Sequence, residues 1–508
     1  MKPSTELFKL IKSLTKSEKR FFKLSSSLQS GEKNYLKIFD FVEKQIKYDE
    51  EELKHYFKNE RFIQHLPSEK NHLYKLILKS LRSYYSEQNV SSQLKQEIKN
   101  IEILYKKALY RECEKFLGRA KKIAEQHEKF YYWFELIEWE KRLMEEAYES
   151  GKFDADLDAL ISEESMVIDK LRNLAEYQVL YSKINYIFRS GGFTHNETER
   201  KIVDEIANNH LIKGKNTAIS SRASSICYYI KGLCAATNRE YKDSYVFFNK
   251  TKTILNNNPK IKKDLGKRYI LTLAHLLKCY LQEKDFSSAQ QTLEEIKSLA
   301  EERSFKNLDL EVRIFTIANN EQLKIYNLQG KFDQALKRIP EIEKTRSKYG
   351  EKINKEQEIQ FLYNIAYTYF GNGDYKKALF YLNQVLNDNE QNLRQDIYSF
   401  ARLFNLVLHF ELENYEFLEY VVKSTNRYLN KTERDYKIEK VFVKQIKRLA
   451  KASDRHDKTE VLEEIKVEIS ELLQDYQERV VLEFINIEAW LISKIEDINL
   501  SKAIQKTS

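Results

Sequence analysis

The chain has 508 residues, too many for one ordinary compact core, so it folds as several domains or as one elongated array. Only 12 Gly and 4 Pro stand beside 42% apolar and 32% charged residues, which leaves little material for strand turns or α/β crossovers and excludes disorder throughout. Residues 1–100 hold 20 Lys and Arg against 13 Asp and Glu, so +7 of the net +9 lies there and the remainder is nearly neutral.

No stretch approaches the roughly 18 uninterrupted apolar residues that cross a bilayer, and MKPSTELFKLIKSLTKSEKRFF carries charges where a secretory signal needs an apolar run. The expectation is an all-α, cytoplasmic protein with no membrane insertion. Cys113, Cys227, Cys234 and Cys279 lie in helical patterns without a CxxC spacing, and read as reduced, buried small hydrophobes.

In chain order, Thr15 and Glu18 form a capping box ahead of KRFFKLSSSL, and Tyr35–Ile46 and Tyr48–Phe57 are two further amphipathic runs. A fourth helix begins near Ser68, just after Pro67. Its apolar face holds Leu73, Ile77 and Leu81, while Lys75, Lys79 and Arg82 line the other side. These elements predict a basic helical N-terminal domain over residues 1–95. Its basic helix has three readings: a solvated outer face of a docked helix, a nucleic-acid-binding face on which Lys75, Lys79 and Arg82 neutralise phosphates, or a face that meets an acidic protein or membrane surface. The first is favoured, because no Gly-containing helix-turn-helix corner is visible and Asn or Gln suited to base edges is sparse on that helix.

Over residues 96–430 one signature recurs: a helical stretch, a short polar turn often holding Gly, then an aromatic residue and a second helix. The aromatics are Tyr110, Phe153, Phe193, Tyr241, Phe286, Phe332, Tyr375 and Tyr415, at spacings of 43, 40, 48, 45, 46, 43 and 40 residues. Three residues after the aromatic, the better copies place a small residue: Ser244, Ala289, Ala335 and Ala378. A large residue followed one turn later by a small one allows close packing of the two helices of a pair. Beyond residue 430 the signature stops, and 431–500 reads as helices that cap the array, with Phe484, Ile487 and Leu491 on one stripe and Trp490 beside them; 501–508 reads as a disordered tail.

The segment FLYNIAYTYFGNGDYKKALFYLNQVL (361–386) resembles a tetratricopeptide repeat through Ala366, Tyr369, Gly373, Tyr375 and Ala378. QLKIYNLQGKFDQAL (322–336) and LLKCYLQEKDFSSA (276–289) resemble it nearly as well, while the copies at 110, 153, 193 and 415 are degenerate. The family's repeat has 34 residues and these run 40 to 48, so the helices are longer than usual. The resemblance implies a right-handed α-solenoid of TPR-like antiparallel helix pairs whose concave groove, lined by the first helix of each pair, binds extended peptides. Mapped on that pattern, Asn320, Lys324, Asn327, Asn364 and Tyr367 face the groove, with Lys278 and Tyr229 from neighbouring copies. Lys and Asn there resemble the family's clamp for a peptide carboxylate.

Signatures of catalysis are missing: there is no HExxH, GxxxxGK[ST], GxSxG or GxGxxG, and His65 and His72 lack carboxylate or thiolate partners for a metal. The functional expectation is therefore a non-catalytic protein or peptide scaffold with no cofactor and no metal. The rival is a regulator whose N-terminal domain binds nucleic acid while the solenoid senses a partner. Neither the partner's identity nor an oligomeric state follows from the residues.

Overall fold

A computed structural model describes all residues except 1–4, 28–32, 87–88, 150–155, 195–196, 390–392, 432–435, 453, 476 and 508, and among the described residues every regular element is a helix. The chain divides into two compact units, Met1–Val167 and Ile168–Ser508, so the division does not fall at residues 95 and 430, where the charge distribution and the aromatic repeat suggested it. Phe153 lies outside the described residues.

The first unit holds α1 (Glu6–Ser13), α2 (Lys16–Ser27), α3 (Asn34–Lys44), α4 (Glu50–Tyr56), α5 (Leu66–Tyr84), α6 (Val90–Lys106), α7 (Tyr110–Gln126) and α8 (Phe130–Glu149); α9 (Leu157–Gly191) carries the division. Helices α1 to α5 share a core of their own, built on Ile11, Phe22, Phe39, Leu53, Leu73 and Ile77. The capping box forms as expected: Glu18 accepts from the Thr15 N–H at 2.5 Å and Thr15 Oγ1 accepts from the Glu18 N–H at 3.3 Å. Pro67 sits in the first turn of α5, where its missing N–H costs nothing, and the helix starts at Leu66.

The second unit continues with α10 (Glu197–Ala207), α11 (His210–Lys213), α12 (Ser221–Thr237), α13 (Tyr241–Asn257), α14 (Pro259–Asp264), α15 (Gly266–Gln282), α16 (Phe286–Ser298), α17 (Leu308–Leu328) and α18 (Phe332–Tyr349). Then follow α19 (Lys355–Gly371), α20 (Tyr375–Leu386), α21 (Gln395–Glu411), α22 (Tyr415–Lys431), α23 (Lys437–Leu449), α24 (Arg455–Leu472), α25 (Ile487–Ile495) and α26 (Leu500–Thr507). From α12 to α23 each long helix packs on the next, and α15, α17, α19 and α21 each also touch the first helix of the following pair. Such a pattern lets every apolar stripe find its cover in an immediate neighbour.

One turn geometry accounts for the recurring aromatics. Seven helices are followed by a residue in the left-handed region, Ala108, Glu128, Arg239, Lys284, Gly330, Gly373 or Glu413, with φ between 48° and 82°. The next residue donates its N–H to the carbonyl five positions back at 2.8–3.0 Å, satisfying an otherwise orphaned helix-end group. In these seven turns the residue after that is the aromatic that opens the next helix: Tyr110, Phe130, Tyr241, Phe286, Phe332, Tyr375 or Tyr415. Phe130 was not among the periodic aromatics. Phe193 was, but it does not open a helix; it is buried against Tyr436 with ring centroids 5.9 Å apart.

The aromatic then packs back across its own turn, Tyr110 on Tyr105, Tyr375 on Phe370 and Tyr415 on Phe410, at centroid distances of 5.6, 5.8 and 5.9 Å. Ser244, Ala289, Ala335 and Ala378 are fully buried one turn later. Phe332 reaches further. Its ring occupies the space where a Cβ on Gly371 would stand, 2.1 Å from the nearest ring atom, so a glycine in α19 is what admits it.

The C-terminal region departs from a simple end cap. Helix α23 covers α21 and α22, and α24 packs on α23, as a cap would. Residues 477–507 then return along the second unit: Arg239 donates to the Gln477 carbonyl at 2.9 Å, Ser501 to the Gly330 carbonyl at 2.7 Å and Lys284 to the Thr507 carbonyl at 3.1 Å. The expected disordered tail is instead the helix α26, with Ala503 and Ile504 buried. Phe484 is not on the last helix stripe but in the loop before α25.

Because no atom stands within 4 Å of a Cβ built on Gly373, Gly373→Ala reports the left-handed backbone alone. It is expected to cost about 1 kcal/mol, and Glu413→Gly at the matching turn to gain a similar amount. Thermal melts check both: Tm falls for the first and rises for the second.

Candidate functional site

Within the second unit lies a chamber of about 310 Å³. Its helical walls come from α9, α12, α15, α17, α19 and α21, and none of the second helices α13, α16, α18, α20 or α22 contributes a residue. The contributing residues follow helix-face spacing. On α15 they include Lys267, Leu271, His275 and Lys278; on α17, Arg313, Ile317, Glu321 and Lys324; on α19, Gln360, Tyr363, Asn364 and Tyr367.

The remaining wall is the returning C-terminal segment. Glu483 accepts from the Tyr241 hydroxyl at 2.9 Å and pairs with Arg239 and Lys278, each at 3.4 Å. Phe484 stacks on Phe400 at 4.5 Å, its carbonyl accepts from the Tyr363 hydroxyl at 3.2 Å, and the Asn486 N–H donates to the Tyr367 hydroxyl at 3.3 Å. Val480, Val481, Ile485 and Ile487 are fully buried on its other side. Lifting the segment exposes four such side chains at about 1.5–3 kcal/mol each, so it is a fixed wall.

Six cations line the chamber, Arg189, Lys267, Lys278, Arg313, Lys324 and Arg394, against the four acids Glu321, Glu356, Asp396 and Glu483. Arg189 pairs with Glu356 at 2.8 Å, and Arg394 grips Asp396 with two hydrogen bonds of 2.9 and 2.7 Å. Burial would raise the Glu483 carboxyl, but Lys278, Lys324 and Arg239 bring it down to about 2. Glu321 differs: burial raises its pKa, and Lys324, Lys278 and Arg394 oppose this without cancelling it. Burial lowers the Lys324 ammonium despite the attraction of Glu483 and Glu321. The balance of the chamber is positive.

Of the groove residues expected from the sequence, Lys324, Asn327, Asn364 and Tyr367 line the chamber, as do Lys278 and Tyr229. Asn320 does not; it is fully buried. The asparagines form a zipper between α17 and α19 rather than a free clamp. Asn320 donates to Gln357 at 3.3 Å, Asn364 donates to the Asn320 side-chain oxygen at 3.1 Å, and Asn327 donates to the Asn364 carbonyl at 3.1 Å while accepting from Thr368 at 2.9 Å. Their amide hydrogens are spent within the fold, and a buried donor withdrawn from such a network is costly. The Tyr367 hydroxyl oxygen accepts from the Asn486 N–H.

Sequence reasoning missed Lys267, His275, Arg313, Glu321, Arg394 and Glu483. The first, second, third and fourth were legible as chamber-facing once α15 and α17 had been phased; Arg394 and Glu483 lie outside those helices and left no local signal. His275 is stacked on Phe248 at 4.6 Å, and its Nε2 lies 3.0 Å from the Tyr229 hydroxyl. On α5, Lys75, Lys79 and Arg82 are exposed, opposite the buried Leu73 and Ile77. The four cysteines are buried and unbridged. Among the described residues, no cluster of His, Cys, Asp and Glu is placed to hold a metal ion, and no helix is long and apolar enough to cross a membrane.

Burial, aided by Lys278, pulls the His275 imidazole down to about 3 from an ordinary 6.5, so it is neutral in the fold. Between those values the unfolded chain binds the extra proton, and stability falls as pH drops through the window. Glu483 adds a second loss as pH falls from its ordinary 4.5 through about 2. Each group contributes at most about 1.4 kcal/mol per pH unit. Thermal melts across this range are expected to show Tm declining below pH 6.5 and more steeply below 4.5, with His275→Gln flattening the upper part.

No family model matches the chain and no curated protein resembles it significantly, so what the site does is read from its geometry.

Proposed function

We propose that the chain is a cytoplasmic, non-catalytic binding scaffold, a TPR-like α-solenoid that holds a protein or peptide partner at the inner face of its second unit. The observation that carries this reading is the composition of the chamber wall: first helices of successive pairs, and none of the second helices. Helical arrays that bind through a concave face present one helix per repeat to the ligand. The wall also mixes what recognition needs, with aromatic surface from Tyr181, Phe188 and Tyr229 and charged or amide groups from Lys324, Gln357 and Gln360. Because the Asn zipper is structural, the informative variant keeps Asn364 and changes Lys324. Peptides selected from a random displayed library against the full chain are expected to lose about tenfold or more in affinity for Lys324→Met at unchanged helicity. Selection of no peptide, or of peptides indifferent to that change, would count against this role.

A second reading rests on α5, whose Lys75, Lys79 and Arg82 are exposed and make no ion pair among the described residues. In it the N-terminal helices bind nucleic acid while the second unit senses the partner. If these three residues neutralise phosphates, duplex DNA affinity falls steeply with salt, and replacing all three by Ala lowers the log–log slope by roughly 2.7, about 0.9 for each contact. A slope unchanged by the triple substitution removes this reading.

A further inference from the structure

The chamber has two charged ends. Lys267 on α15 and Arg313 on α17 are electrostatic neighbours, and eleven residues further along the same helices Lys278 and Lys324 are neighbours again. Eleven residues of α-helix rise about 16 Å, so the two cationic pairs stand that far apart along the helix axes. Between them the wall carries Leu271, Ala274 and Ile317, flanked by Tyr229 and Phe188, with His275 beside Lys278 and Glu321 one turn from Lys324 as its polar members. Lys267 is exposed and marks the mouth; Lys324 lies deep.

The other lining cations have partners within the fold: Arg189 has Glu356, Lys278 has Glu483, Arg394 has Asp396, and Arg313 has Asp309 at 3.7 Å. Lys267 and Lys324 make no hydrogen bond or ion pair among the described residues, and Glu483 and Glu321 act on Lys324 only at longer range. Glu483, held by Tyr241, forms one wall of this slot.

We propose that the chamber is a site for an elongated small dianion, an organic molecule with an anionic group at each end and an apolar span between, one end seated on Lys324 and the other on Lys267. The deep end supplies an ammonium that burial has deprived of water, and an arriving anion restores what was lost. The apolar middle rewards a span that carries no polar group of its own.

The dianion has two sources, a free dicarboxylic acid or a short peptide with an acidic first residue and a free C-terminus, and the two are separable. Calorimetric titration of the full chain with linear dicarboxylic acids from succinate to tetradecanedioate is expected to give an affinity that rises to a middle member and then falls. The monocarboxylic acid of the best length should bind about tenfold more weakly, and Lys324→Met and Lys267→Met should each weaken the diacid by a similar factor. Ala274→Phe, which fills the middle and keeps both charges, should abolish binding. If the Met variants do not fold, as judged by helicity, the comparison of diacid with monoacid on the unaltered chain decides.

An acetylated Glu-Leu-Phe tripeptide binding like the diacid assigns the site to peptide ends; binding of the diacid alone assigns it to a free metabolite, and the scaffold reading then fails while this one stands. No binding of any diacid or of the tripeptide at millimolar concentration, or equal binding of diacid and monoacid, overturns the proposal. Library-selected peptides that depend on Lys324 but bind independently of Lys267 would leave the scaffold reading intact and remove this one.

Discussion

The left-handed residue that ends the first helix of a pair is the constraint on which the rest depends. It reverses the chain in two residues and returns an N–H to the carbonyl five positions back, and so delivers an aromatic ring to the start of the next helix at the same place in every pair. Once that ring is fixed, the small residue one turn later sets how closely the helices approach, and Ser244, Ala289, Ala335 and Ala378 are accordingly buried without remainder. Five of the seven turns achieve this without glycine, at a cost of about 1–2 kcal/mol for each side chain held at positive φ. Arg239 shows what such a cost can support: strained at its backbone, it is buried and extends to Gln477 and Glu483.

That single contact links the turn geometry to the site. The first helices turn one stripe each toward the same chamber, which thereby accumulates cations from α9, α15 and α17 and from Arg394 just before α21. Left open, it would be a hydrated groove. The returning C-terminal segment makes it a chamber, because Glu483 neutralises one part of the cationic surface while Val480, Val481 and Ile485 anchor the segment in the core. The charge that this segment leaves unmatched is what gives the chamber its character. Exclusion of water strengthens each remaining interaction, in the way that low local dielectric both penalises an unpaired ion and rewards its partner.

Much of this was legible in the residues. The poverty of Gly and Pro announced helices, the period of the aromatics announced pairs, and the likeness to a tetratricopeptide repeat pointed Lys324, Tyr367, Lys278 and Tyr229 toward a groove. The asparagines show where that reasoning stops. Asn320, Asn327 and Asn364 stand at positions that suit a ligand clamp, yet their amides are used between α17 and α19; residue type and face do not reveal whether a donor is already satisfied. The C-terminal stretch was similarly ambiguous, since an amphipathic helix that caps an array and one that folds back across it have the same pattern.

What the sequence by itself determined is the local part: helix content, the turn positions, and the stripe of each helix that faces inward, because these depend on backbone preferences and on periodicities a few residues long. Tertiary structure decided which groups meet. Glu483 reaches Arg239 and Tyr241 across more than two hundred residues, and Lys267 and Lys324 come to share one chamber from different helices. Such encounters depend on how many pairs intervene and on the angle at which each packs, quantities summed over the whole unit that no short window contains.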